Sequence, residues 1–264
     1  MGISLYMLFN YNRYHHTVYS GVAAEITGRI SAQYNRVQYY FHLKETNDSL
    51  VKANEMLYNK LRQNFELPDT ASHISVDTLV KPDSSRQARR FLYLQAKIVR
   101  NSVSQPSNYI ILHRGSQQGI HADMGVISTN NAVIGTIMET SDNYSVVMSL
   151  LHEQSNLSAR LKRSGETGTV IWDGKNPSIL TLKDISKTVK INAGDTVVTS
   201  GFSEKFPSGL LVGYVRDIVN NKSSSTYTVH LRAAANFENL QYGYIIDNLQ
   251  KDEPQQLLKK VKGK

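Results

Sequence analysis

The 264-residue chain contains no cysteine. That excludes disulfides, cysteine-ligated zinc, iron–sulfur clusters and a thiol nucleophile together. It has no phosphate-binding Gly-rich loop, no dinucleotide fingerprint and no His-x-x-x-His spacing, so nothing in it calls for a nucleotide, a metal or another cofactor. Long apolar runs are also missing. The longest at the front, Ile3 to Phe9, is far short of the ~20 residues of a spanning helix. Acidic residues are the scarcer sign, 22 against 30 Lys and Arg. The excess is concentrated in residues 69–100 and in the tail beyond 250, while 101–184 is close to neutral. A nucleic-acid binder concentrates charge on its folded domain, so this distribution argues for no nucleic-acid partner and for a soluble basic surface.

What is present changes character along the chain. Aromatic and polar residues alternate from Asn10 to Tyr19, as suits a bilayer headgroup region. Residues 1–19 therefore read as the remnant of a transmembrane anchor and its juxtamembrane segment. Residues 20–67 contain no proline and read as one helix, ending before Pro68. A heptad register places Leu43, Leu50 and Leu57 at d positions. Tyr40, Asn47, Asn54 and Leu61 take the a positions. Leu at d with Asn at a favours a parallel two-stranded coil, each Asn bonding its twin. Residues 68–90 read as a linker with a short strand over 74–80, and 251–264 as a disordered tail.

From Phe91 onward the pattern is short Val-, Ile-, Thr- and Tyr-rich runs broken by Gly, Asn and Ser. Twelve strands are predicted: 92–99, 109–114, 125–128, 132–139, 145–151, 157–161, 168–172, 179–182, 196–199, 211–219, 226–231 and 242–246. Short strands at this spacing make small barrels or sandwiches. An internal duplication divides them. Ile120–Ser128 aligns with Ile191–Thr199, and Val133–Met138 with Leu211–Arg216; a further strand follows each. Gly135 and Gly213 occupy the same place inside a strand, where glycine signals a bulge or tight corner.

Several motifs occur in fixed order: His113-Arg114-Gly115-Ser116, Gly119-Ile120, Arg163-Ser164-Gly165, Gly194-Asp195-Thr196-Val197-Val198-Thr199-Ser200-Gly201, and Phe206-Pro207-Ser208-Gly209-Leu210-Leu211-Val212-Gly213. With the preceding coiled coil, this succession resembles the bacterial rod-shape-determining MreC family over about residues 20–250. His113 stands where the family more often has Asn. The resemblance implies a mainly β fold, an N-terminal coiled-coil helix followed by two small six-stranded β-barrel domains, expected here at 91–175 and 176–250. It implies a single-pass protein of the bacterial inner membrane with its bulk in the periplasm, held by an N-terminal helix missing from this sequence. It also implies a non-catalytic scaffold of the cell-elongation machinery. Expected partners are a second copy (homodimer or higher self-assembly), a class B penicillin-binding protein, MreD and, directly or indirectly, MreB.

On the residues themselves, Gly115, Gly119, Gly201 and Gly209 suit positive φ, Asp195 an Asx-type turn and Pro207 a loop start. The loop carrying Phe202, Phe206, Pro207 and Leu210 is a candidate partner patch if both phenylalanines are exposed, or a plug for a barrel end if they are not. Two alternatives differ in class. A chymotrypsin-like protease needs a Ser, a His and a carboxylate converging; Ser200 with His113, His121, His152 or His230 supplies the residue types, without a Gly-Asp-Ser-Gly segment. A cell-wall glycan-binding module needs exposed tyrosines, and 15 are available, scattered along the chain.

Overall fold

The computed structural model describes residues 43–61, 65–66, 88–219 and 225–251. The expected anchor remnant, Tyr40, the strand over 74–80, most of the linker and the tail after 251 lie outside the described residues. Two compact units divide at residue 50. In the first, residues 43–50 are helical and exposed, Leu43, Asn47 and Leu50 included. In the second, residues 51–60 are helical (α1) and the chain continues into the strands. Residues Phe65–Glu66 (β1) pair with Ala88–Arg89 (β2). Backbone pairing with 88–89 therefore replaces the helix that the absence of proline suggested as far as residue 67.

All twelve predicted strands form: β3 Phe91–Asn101, β4 Ser107–Leu112, β5 Gly125–Ser128, β6 Val133–Thr140, β7 Ser145–His152, β8 Leu157–Leu161, β9 Thr167–Ile171, β10 Ile179–Ser186, β11 Thr196–Thr199, β12 Leu211–Val219, β13 Thr226–Ala233 and β14 Tyr242–Asn248. They close two six-stranded antiparallel barrels, ordered β14-β3-β4-β7-β6-β5 and β10-β13-β12-β11-β8-β9. Closure gives every barrel strand a neighbour on both sides over at least part of its length. Alternate residues point inward, and Ile110, Leu112, Val126, Ile137 and Val147 fill the first barrel while Leu161, Leu180, Leu182, Val197 and Leu231 fill the second.

The boundary expected at 175/176 is wrong. The second barrel is contiguous, 157–233, and the first is completed by β14 from beyond it. Seven residue pairs join β14 to β3, from Tyr242–Lys97 to Asn248–Phe91. Local pattern cannot separate β14 from the strands before it, because membership is set by a pairing distant in sequence.

The duplication is structural. In the first barrel the β5–β6 register shifts where Val126 faces Gly135 and Ile127 faces Val133; in the second, Val197 faces Gly213 and Val198 faces Leu211. A further bulge follows at Met138 in β6 and at Arg216 in β12. A Cβ on Gly135 would run into the Met148 carbonyl oxygen, and one on Gly213 would lie 2.7 Å from the Arg232 carbonyl oxygen. Backbones approach this closely where each barrel turns its corner.

Candidate interaction surfaces

Three places on the molecule carry side chains beyond the needs of a barrel. One is α1. Val51 is 4% exposed, Asn54, Tyr58 and Asn59 are half-buried, and these positions share one helix face. That face lies against β3 and β14. The Tyr58 ring stacks on Tyr93 at 5.3 Å and tilts against Tyr244 at 5.0 Å. Tyr244 Oη donates to the Val51 carbonyl at 3.0 Å. Asn59 clamps the backbone of β3: its Oδ1 accepts from Tyr93 N at 2.8 Å and its Nδ2 donates to Tyr93 O at 2.9 Å. The clamp has a reason. β4 pairs with β3 only at Ile98 and beyond, so the earlier part of that edge needs other partners. Burial raises the phenolic pKa of Tyr58, Tyr93 and Tyr244, the last to about 12.

Leu57 stands ~100° round the helix from Tyr58 and is 63% exposed; Leu61 is exposed as well. Asn54 departs from its expected role. Its side chain hydrogen-bonds Tyr244 and so engages the barrel instead of lying in line with Leu57. The docking residues themselves were not anticipated. The available signal was a second column beside the leucines, since Val51 and Tyr58 are seven apart as Leu50 and Leu57 are.

The second place is the loop between β11 and β12. Thr199 organises it: its Oγ1 donates to Pro207 O at 2.6 Å and accepts from Leu210 N at 3.0 Å. The structure separates the two phenylalanines. Phe202 is 82% exposed, whereas Phe206 is 2% exposed and Pro207 and Leu210 are buried. Phe206, Pro207 and Leu210 therefore cannot meet a partner, and only Phe202 remains from that candidate patch. Phe206 packs against Gly125 of the first barrel, where a Cβ would collide with its ring. The loop thus fastens one barrel to the other. Lys205 Nζ reaches Asp123 Oδ1 at 2.7 Å, Asn248 Nδ2 donates to Glu204 O at 2.8 Å, and Ala132 bridges Leu211 in parallel. The Lys205 ammonium beside Asp123 holds that carboxyl below the usual range.

The motif residues otherwise act as turn devices. Gly119, Gly201 and Gly209 adopt positive φ. Gly115 does not; its φ is −136°, and it is needed instead because a Cβ there would strike the Ser141 and Asp142 carbonyls. Asp195 Oδ2 accepts from Asn192 N at 2.9 Å and pairs with Arg163 Nη2 at 2.7 Å, which joins two of the motifs.

Among the described residues the histidines lie apart. Ser200 Oγ is bonded to Ser158 Oγ at 2.8 Å and accepts from Phe202 N at 3.2 Å. His113 stacks on Tyr144, His152 bonds the Tyr109 hydroxyl, His121 sits near Asp247 and Lys251, and His230 pairs with Asp217 at 2.7 Å. No serine, histidine and carboxylate converge among the described residues, which is the geometry acyl transfer requires. The third place is a basic cleft at one end of the first barrel, lined by residues of β3, of the turn after β4, of the β6–β7 turn and of β14.

Comparison with known proteins agrees with the architecture. A family model described as rod shape-determining protein MreC, barrel core, matches residues 98–247. The cell shape-determining protein MreC of Listeria monocytogenes is 22% identical over 204 residues, 76% of this chain and 65% of that protein. The one from Bacillus subtilis is 24% identical over 214 residues, 78% of this chain and 70% of that protein. The match therefore spans about two thirds of these relatives. Among solved structures, Listeria MreC superposes with a TM-score of 0.56 at 20% identity over 81% of this chain and 93% of its own. Pseudomonas aeruginosa MreC gives 0.53 at 20% identity over 58% of this chain and 97% of its own. Two duplicated, closed barrels and a family match over more than half of the sequence lead to one conclusion: the chain belongs to the MreC family of rod shape-determining proteins.

Proposed function

We propose that this chain is a non-catalytic scaffold of the cell-elongation machinery, dimerising through its helix and presenting its barrels to a class B penicillin-binding protein in the periplasm. The observation that carries the reading is the division of labour around the helix. One face of α1 is consumed by β3 and β14, while the leucines Leu43, Leu50, Leu57 and Leu61 are exposed. Exposed leucines at heptad spacing are costly in water and are covered when a second helix supplies the same stripe. Asn47 is the remaining polar register residue of that seam, and Leu43, Leu50 and Leu57 are its hydrophobic positions.

Docking of α1 then fixes the direction in which the barrels leave the helix. Two copies would present four barrels as one surface, with Phe202 the most exposed aromatic among the described residues of each. The work is positioning or activation of a transpeptidase, with no bond made or broken by this chain. Attachment to the inner membrane through an N-terminal helix, contact with MreD and a direct or indirect link to MreB complete the reading. No helix among the described residues is long and apolar enough to cross a membrane.

Sedimentation of the 264-residue chain tests the seam. Leu50→Asp with Leu57→Asp should convert a dimer to a monomer while leaving the circular dichroism of the barrels intact. A mass unchanged by the double substitution sinks the seam. Binding of the same chain to the periplasmic part of the host's class B penicillin-binding protein tests the rest, and Phe202→Ala should weaken that binding.

A further inference from the structure

The cleft at the end of the first barrel has a volume of ≈ 380 Å³ and is lined by Gln95, Ala96, Lys97, His113, Arg114, Gln118, Asn143 and Tyr242. Two of these are cations, one is a histidine, and none is acidic. The size falls in the range of small-ligand sites. We propose that this cleft binds an oxyanion, a carboxylate or phosphate group carried by a small polar ligand.

The walls are built firmly. β3 loses β4 as a neighbour before Ile98, and the turn after β4 folds back to cover the exposed edge. His113 N donates to Lys97 O at 2.9 Å, and Arg114 Nη1 donates to Gln95 O at 2.5 Å. That turn is tied in its own right to the β6–β7 turn that carries Asn143. Ser116 N donates to Ser141 O at 2.8 Å and Gln117 N to Asp142 O at 3.2 Å, an approach that the missing Cβ of Gly115 permits. Gln118 Oε1 accepts from Gly115 N at 2.8 Å, which leaves the amide nitrogen of Gln118 as the donor end of that side chain. The His113 ring is steadied by stacking on Tyr144 at 5.0 Å.

The electrostatics inside these walls are unbalanced. Arg163 has Asp195 and Lys205 has Asp123, but among the described residues neither Lys97 nor Arg114 has a carboxylate within ion-pair distance. Arg114 is half-buried, and its Nε has no hydrogen-bond partner; neither has the Oε1 of Gln95 beside it. A half-buried guanidinium bonded to one neutral carbonyl is under-satisfied, since burying unpaired polar groups is costly. An oxyanion in the cleft offers this guanidinium a charged acceptor where it now has one neutral carbonyl, and the Lys97 ammonium at the rim adds the second charge. The turn bearing Arg114 is thus both an edge cover for β3 and the cationic wall of the cleft.

The test is a titration of the full chain, followed by amide chemical shifts. The probes are inorganic phosphate and citrate, with sodium chloride at matched ionic strength as control. The expected result is saturable shifts at residues 95–97, 113–118 and 143 with a millimolar Kd or tighter, for phosphate, citrate or both. Whichever anion saturates identifies the group recognised. Lys97→Gln should weaken that binding about tenfold. Lys97 is exposed, so this variant keeps the test valid if Arg114→Gln, which also uncaps Gln95 O, destabilises the barrel. Shifts that chloride reproduces, shifts that do not saturate, or an unchanged Kd in Lys97→Gln would overturn the proposal.

Discussion

The two barrels contain one structural unit used twice. β5-β6-β7 and β11-β12-β13 share strand order, the Gly135/Gly213 corner and the Met138/Arg216 bulge. They differ in how they close. The second barrel finishes with β8 and β9, which precede its other strands in one continuous stretch. The first finishes with β3 and β14, from opposite ends of the barrel region. That closing pair is also where α1 docks, through Tyr93 and Tyr244. The duplicated unit thus supplies curvature, while the closing strands distinguish a barrel that engages the helix from one that does not. Loop-closure entropy makes distant pairings slow to form, so the second barrel should fold first and the first barrel around it.

The largest expected effect breaks the comparison outright. Ending the chain after residue 240 removes β14, which should abolish the first barrel and the docking of α1 while leaving 157–233 folded. Amide spectra and limited proteolysis would show dispersed, protected signals from the second barrel alone. Loss of both barrels together would mean that the Phe206 and Lys205 contacts make them one folding unit.

A smaller effect sharpens the equivalence. Gly135→Ala and Gly213→Ala should each cost about 1–3 kcal/mol by overpacking. Gly135→Ala should cost more, because its new Cβ meets the Met148 carbonyl more closely than that of Gly213 meets Arg232. Urea denaturation would rank them, and equal costs would show that the two corners relax differently from their spacing.

The mildest effects concern pH. Tyr58, Tyr93 and Tyr244 have raised pKa values in the fold. Their contribution is present in full below the unfolded value near 10 and is lost as pH rises, through about 12 for Tyr244. Helix docking on the first barrel should therefore loosen in that alkaline window, visible as tyrosinate absorbance rising together with exchange at Val51–Asn59. On the acid side the sign reverses. Asp123 is lowered by Lys205, so its pair contributes above the ordinary carboxylate range and is lost as pH falls through the lowered value. Both side chains are exposed, so Asp123→Asn should cost only some tenths of a kcal/mol.

The strands were legible because a pleated backbone buries alternate residues, and Val, Ile and Thr runs between Gly, Asn and Ser record that directly. The repeat was legible because each barrel needs a corner glycine at the same step. Barrel membership was not: β14 and β8 read alike, and only the pairing of β14 with β3, from Tyr242–Lys97 to Asn248–Phe91, decides which barrel β14 closes. The candidate surfaces divide the same way. Leu50 and Leu57 declare an apolar stripe by spacing alone, whereas the separation of Phe202 from Phe206 depends on Gly125 of the other barrel, some eighty positions earlier.

By itself the sequence determined that this protein is a helix leading into twelve short strands in two related sets, with turns at its glycine motifs, because those features follow from local periodicity and backbone sterics. Only the tertiary structure decided that the first barrel closes around the second. It also decided that Asn54 and Asn59 face a barrel and that Arg114 lines a cleft without an acidic partner. These follow from contacts between segments far apart in the chain, whose geometry no local pattern encodes.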